Sequence, residues 1–265
     1  MQQSRHSVVS GSASGIGRAV AERLAAEGDR VVGIDRAGAD IGSHIATNFA
    51  ADLATPEGRA AAIAEVLDRC DGAVDRVIAA AGVSGLGTDA ATTVSVNYFG
   101  TVELFDGLRP AMEGRPNPCA VGIVSNSAVM GVAPDDPAVV AMLDGNEAEA
   151  RQQAMAGQPF MAYALTKHAL ARAIRHRAGV WGPLGVRINA IVPGKTDTPL
   201  YRAVVDDPAM GKFADRIPVP LGRVGTPEEM AGIVSFLVGD DARYVHGMML
   251  WADGGTDAAV RPDEF

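Results

Sequence analysis

The sequence predicts an α/β fold, a single doubly wound parallel sheet of about seven strands with helices on both faces. Three observations lead there. Short β-rich runs alternate with helical patterns along the chain, a 48% hydrophobic content can fill a substantial core, and no linker, low-complexity tract or internal repeat divides the 265 residues. Strands separated by helices require right-handed crossovers, hence parallel neighbours.

The elements follow in order. "SVVSG" is the first strand, with a helix over 15–27; "DRVVGID" is the second. The next connection, "RAGADIGSHI", is barely long enough for a parallel crossover and is expected to hold little helix. "TNFAADL" precedes a helix over 56–69, "VDRVIAAAG" a helix over roughly 92–112, and "AVGIVSNS" a helix near 160–181. "GVRINAIVPG", a helix over 226–238 and "GMMLWADGG" complete the set. Residues of about 133–159 are extra material above the sheet's carboxyl edge, where Pro and Asp open a helical pattern containing Ala138, Leu143 and Ala148. Segment 195–221 mixes Leu200, Tyr201, Met210 and Phe213 with polar residues and reads as a lid over a substrate. Residues 1–265 are expected to form one domain.

Charge narrows the partners. A net charge of −9 and a pI near 5.0 argue against nucleic acid and anionic membranes, which require a basic surface. The most basic stretch, "RAIRHRAGVW", is most simply the solvated face of a helix. Cys70 and Cys119 are too few for a disulfide framework or metal cage and read as small hydrophobes. His6, His44, His168, His176 and His246 lack ligand spacing, so no protein-bound metal is expected. There is no apolar leader near the N-terminus and no run near the roughly 18 apolar residues of a membrane span, so the expectation is a soluble cytoplasmic protein.

"VVSGSASGIGRAVAERLAAEG" sets Gly11, Gly15 and Gly17 between a strand and a helix. Glycines there let backbone amides approach a pyrophosphate, and the helix N-terminus adds partial positive charge. Asp35 ends the next strand 18 residues after Gly17, where an acid can bind both adenosine ribose hydroxyls and repel a 2′-phosphate. It favours NAD over NADP, although Arg36 and Arg18 could hold such a phosphate and an acid at a strand end also suits a plain turn. In "YALTKHAL", Tyr163 and Lys167 lie four apart, one helical turn, which alone describes many surface neighbours.

Together these motifs resemble the short-chain dehydrogenase/reductase family. "SGSASGIG" is similar to its glycine motif, "DL" at Asp52 and Leu53 to its adenine contact, and "AAAG" to its signature after strand 4. "VNYFG" is similar to its helix with an active-site Asn, "YALTK" to its YxxxK, and "PGKTDTP" to its loop over the nicotinamide. Within the family, the pre-Tyr insertion and the tail "YVHGMMLWADGGTDAAVRPDEF" most resemble bacterial hydroxysteroid dehydrogenases and carbonyl reductases. The chain departs in carrying alanines where asparagines are usual after strand 4, and in a short span from Gly82 to Asn97.

The resemblance implies a Rossmann-type NAD site built from Gly11, Ser14, Gly15, Ile16, Gly17, Asp35, Arg36, Asp52, Leu53, Ala80, Ala81 and Gly82. It adds Tyr163, Lys167, Pro193, Gly194, Thr196 and Thr198 on the nicotinamide side. Tyr163 would be the acid and base, Ser127 would hold the substrate oxygen, and Asn97 would order a water linking Lys167 to solvent. Ser125 shares a side of the strand with Ser127, which is preferred because it lies nearer the carboxyl end. Lowering a phenol by about three pKa units takes about 4 kcal/mol. An ammonium about 4 Å away supplies that only at an effective dielectric near 20, inside a partly closed pocket.

The expected reaction interconverts a secondary alcohol and a ketone with NAD, on a hydrophobic, steroid-like or alicyclic compound suggested by the lid, Met130 and Val132. An NADP-dependent ketoacyl-type reductase and a catalytically silent dinucleotide sensor are the alternatives. The resemblance also implies a homodimer or homotetramer, here a dimer through the "LWADGG" region if the insertion covers the two long helices.

Overall fold

In a computed structural model describing residues 4–36, 47–157 and 161–264, seven parallel strands form one sheet. They are β1 (His6–Ser10), β2 (Arg30–Asp35), β3 (Thr47–Ala50), β4 (Arg76–Ala79), β5 (Cys119–Ile123), β6 (Arg187–Pro193) and β7 (Met249–Ala252). Their order is β3-β2-β1-β4-β5-β6-β7, so the chain starts in the middle, winds outward one way and then the other. The expected fold class is the observed one. Residues 37–45, on which little helix was expected, lie outside the described residues.

The helices are α1 (Gly15–Ala26), α2 (Pro56–Arg69), α3 (Ala90–Val94), α4 (Gly100–Met112), α5 (Pro137–Leu143), α6 (Glu147–Ala156) and α7 (Met161–Trp181). After β6 come α8 (Pro199–Asp206), α9 (Met210–Arg216), α10 (Pro227–Val238) and α11 (Thr256–Val260). Local chemistry sets several starts. Thr55 caps α2 by accepting from Gly58 N at 3.0 Å, with Pro56 behind it, and Thr226 and Glu229 form a reciprocal capping box on α10.

Each sheet face carries its own core. Val20 and Leu24 of α1 meet Val234 and Leu237 of α10 on one face, all fully buried. On the other, Phe105 and Leu108 of α4 and Leu170 and Ile174 of α7 pack with Val139 and Met142 of α5. Removing one such side chain costs about 2–5 kcal/mol.

The single helix expected over 92–112 is interrupted. A π turn, Ser95–Phe99, separates α3 from α4 and seats Asn97 inward at 0% exposure. The cause is the Asn97 carboxamide, which accepts from Val83 N at 2.8 Å and donates to Val83 O at 2.9 Å. Each of these bonds contributes about 1 kcal/mol, and the π turn keeps backbone bonds of its own, so the bulge costs little.

Candidate active site

A cavity of about 710 Å³ runs along the carboxyl edge of the sheet. Every sequence-predicted site residue lines it except Asn97, which is buried behind it. At one end, β1 gives way to the glycine turn. Gly11 and Gly15 hold φ of +70° and +53°, the left-handed region that glycine favours. A Cβ at Gly11 would lie 2.7 Å from Ala81 N, and one at Gly17 only 2.2 Å from Gly11 O. Glycine at position 17 lets α1 sit against this turn, and glycine at position 11 lets the turn sit against the chain after β4.

Asp35, at the end of β2, accepts from Ala13 N at 3.0 Å, which fixes the acid beside that turn. Arg18 pairs with Glu22 at 2.8 Å on an exposed face of α1, and Arg36 is exposed at the cavity rim. Asp52 accepts from Ala54 N at 3.0 Å and so stiffens its own turn. A tight backbone cradle with an acid at the second strand end is what a dinucleotide requires, and the residues present fit that group.

At the other end lie Tyr163 and Lys167, near the start of α7. Lys167 is 5% exposed; its Nζ donates to Ile123 O at 2.7 Å and lies 5.6 Å from the centre of the Tyr163 ring. Burial lowers its pKa from 10.5 to about 8, so it remains largely charged at neutral pH. Burial also pushes the Tyr163 phenol up, while hydrogen bonding from Ser125 opposes the rise. In the free protein burial therefore opposes ionisation of the phenol.

The two serines are coupled to each other. Ser125 is the hydroxyl that bears on Tyr163, and Ser127 donates to Ser125 Oγ at 3.0 Å. Strand β5 stops at Ile123, and Asn126–Val129 is a 3-10 turn capped by Ser125, so strand alternation is a poor guide there. His168 Nδ1 holds this turn through Ala128 O at 2.8 Å.

The Asn97 side chain is committed to Val83 and, at 3.4 Å, to Thr166 Oγ1. It therefore fixes the chain beyond β4. A Cβ at Gly82 would lie 3.3 Å from Asn97 Oδ1 and 3.8 Å from Lys167 Nζ, which brings the post-β4 turn, the π turn and α7 together.

Thr198 caps α8 through Tyr201 N at 3.1 Å, and a Cβ at Gly15 would lie 3.2 Å from Thr198 Cγ2. The loop after β6 thus reaches the glycine turn across the cavity. Sequence reasoning missed Val83–Leu86 and Ile217, which lie on or beside short turns without a motif, and Lys195, whose Nζ donates to Ile217 O at 2.9 Å. Among the described residues no cluster of His, Cys, Asp and Glu could hold a metal, and no helix is long and apolar enough to cross a membrane.

Comparison with known proteins bears on this arrangement. A family pattern described as short chain dehydrogenase matches residues 5–135, and one described as enoyl-(acyl carrier protein) reductase matches residues 148–257. The chain is 41% identical, over 97% of its own length and 98% of the other's, to a 3-alpha-hydroxysteroid dehydrogenase/carbonyl reductase from Comamonas testosteroni. It is 33% identical, over 94% of each chain, to an L-rhamnose 1-dehydrogenase (NAD(P)(+)) from Azotobacter vinelandii. The crystal structure of the 3-alpha-hydroxysteroid dehydrogenase from Pseudomonas sp. B-0831, complexed with NADH, superposes with a TM-score of 0.91 at 41% identity, covering 98% of this chain and 100% of that one.

Proposed function

The chain belongs to the short-chain dehydrogenase/reductase family, and on that premise we propose that it interconverts a bulky alicyclic or steroid-like secondary alcohol and its ketone with NAD. One observation carries the reading: Tyr163, Lys167, Ser125 and Ser127 gather at one end of a cavity whose other end is a glycine cradle facing Asp35. A silent sensor has no use for the first group, and the relatives are dehydrogenases and reductases.

The glycine turn and the start of α1 would hold the pyrophosphate, Asp35 the adenosine ribose, and Thr196 with Thr198 the carboxamide. The bound dinucleotide supplies or accepts the hydride. Tyr163 then gives its proton to the carbonyl oxygen in reduction and takes the hydroxyl proton in oxidation. The Ser125–Ser127 pair binds that oxygen as charge develops on it. Lys167, held by Ile123 O, keeps a positive charge beneath the Tyr163 ring, and a second cation beside it would bring the phenol into the working range.

The substrate end is apolar. Met130, Met161, Leu200, Met210, Phe213 and Ile217 line it, which suits a rigid hydrocarbon better than a sugar. The test is a panel of alicyclic and linear ketones read by loss of reduced nicotinamide absorbance, with NAD and NADP affinities measured in parallel. Preference for linear acyl substrates and NADP would favour the ketoacyl-type reading, which Arg36 at the rim and the match to an enoyl-(acyl carrier protein) reductase pattern support.

The same premise supports a cytoplasmic homo-oligomer. Helices α5 and α6 pack on α7 and α3, and β7 is an edge strand with Tyr244 and Met248 exposed beside it, so the dimer surface lies at the C-terminal region. Light scattering that gives a monomer, or a tetramer unaffected by a charge placed at Met248, would contradict it.

A further inference from the structure

Helices α5 and α6 take no part in the chemistry above, yet one side chain links α6 to the cofactor end. Arg59 of α2 is 1% exposed. Its Nε donates to Glu103 of α4 at 2.7 Å, and its Nη2 and Nη1 donate to Glu147, the first residue of α6, at 2.5 and 3.3 Å. Nη1 also donates to Leu53 O at 3.3 Å, and the guanidinium lies 6.0 Å from the centre of the Phe99 ring.

Leu53 and Asp52 form the wall of the cavity beyond Asp35. The backbone behind that wall is closely packed: Leu53 is 6% exposed, and a Cβ at Gly100 would lie 3.2 Å from Leu53 Cβ, so α4 backs it without a side chain and Arg59 is the charged side chain that reaches it. A buried guanidinium holds a rigid geometry only while its carboxylates are present. Glu103 is 40% exposed at its side chain and Glu147 only 18%, so Glu147 is the less hydrated and the bidentate partner.

We infer that Glu147 and Arg59 are positioning residues for dinucleotide binding: α6 braces the Asp52–Leu53 wall through a buried guanidinium. The inference rests on the reading above, in which that wall faces the adenine. Loosening the brace weakens the adenosine half of the cofactor's grip and leaves the proton-transfer end, built on α7 and β5, as it was. A merely structural role would lower thermal stability and all activities together.

Calorimetric titration of NAD and of AMP into the parent and Glu147→Gln proteins, with steady-state kinetics, tests this. Both dissociation constants are expected to rise together by about tenfold, while kcat at saturating NAD and the KM for the ketone stay unchanged. Glu147→Asp, which keeps the charge on a shorter arm, should fall between, and serves the same comparison should the glutamine variant not fold. Glu149→Gln, on the same helix and without contact to Arg59, should bind both ligands as the parent does. Equal affinities in parent and Glu147→Gln overturn the inference, as does a fall in kcat at unchanged affinity. Failure of the parent to bind either NAD or AMP overturns the dinucleotide reading as well.

Discussion

The two ends of the cavity are built differently. The glycine-turn end is made of backbone: Gly11, Gly15 and Gly17 are set by steric necessity, and Asp35 is fixed by Ala13 N at 3.0 Å. The substrate end is made of side chains on short elements, α8 and α9, whose Val205 and Phe213 stay largely exposed. A backbone-built site tolerates no added methyl group but tolerates wide change around it. A side-chain-built site tolerates substitution and changes what it accepts. The contrast accounts for a family that shares one cofactor end and differs in substrate.

The sharpest probe lies at the end away from the glycine turn. Tyr163→Phe should lower kcat by about 10³-fold, within the range of general acid–base catalysis, and change NAD affinity far less. Undiminished turnover would remove the proton-transfer role from this residue. The direction of proton transfer sets the sign of the pH dependence. Alcohol oxidation needs the ionised phenol and should climb with pH, whereas ketone reduction needs the neutral form and should fall at the alkaline end. Rate profiles in both directions check this, and a shared slope would break the assignment.

Gly17→Ala comes next. Its methyl would meet Gly11 O at 2.2 Å, so α1 must shift, and NAD affinity should fall by about 10- to 100-fold, the range for overpacking a fixed site. The ketone KM at saturating NAD should not move, and parallel losses in both would erase the distinction between the ends. Ser125→Ala and Ser127→Ala sharpen the site further. Ser125→Ala should cost more, by about tenfold in kcat, since its hydroxyl bears on Tyr163 directly.

Smallest is Phe213→Ala. With 53% of the residue exposed, stability should change by at most about 0.5 kcal/mol. Its effect should appear as an increase of a few-fold in KM for bulky ketones and none for small ones. A uniform effect across substrate sizes would place Phe213 outside the substrate end.

What could be read in the sequence follows the same division. The α2 range of 56–69 is recovered to the residue, because Thr55 and Pro56 announce its start chemically. The glycine turn and Asp35 are legible because their spacing is imposed by backbone geometry. The π turn at Ser95–Phe99 is not, since it comes from a contact between Asn97 and Val83, 14 positions apart, that no periodicity records. The relation of Ser125 to Ser127 is not legible either, because the chain turns into a 3-10 helix at Asn126, where strand alternation no longer applies. The raised phenol of Tyr163 could not be foreseen from charge spacing, which counts Lys167 but not the loss of water.

The position of β1 inside the sheet, third of seven strands, imposes a schedule on the nascent chain. Its strand made first must wait for β4 on its second edge, and the apolar stripe of α1 stays uncovered until α10 emerges; Ser235 and Glu27, which bond across that seam at 2.7 Å, are 208 positions apart. A ribosome releasing residues in order therefore exposes a sticky N-terminal half for most of translation, the interval in which a chaperone has its opportunity.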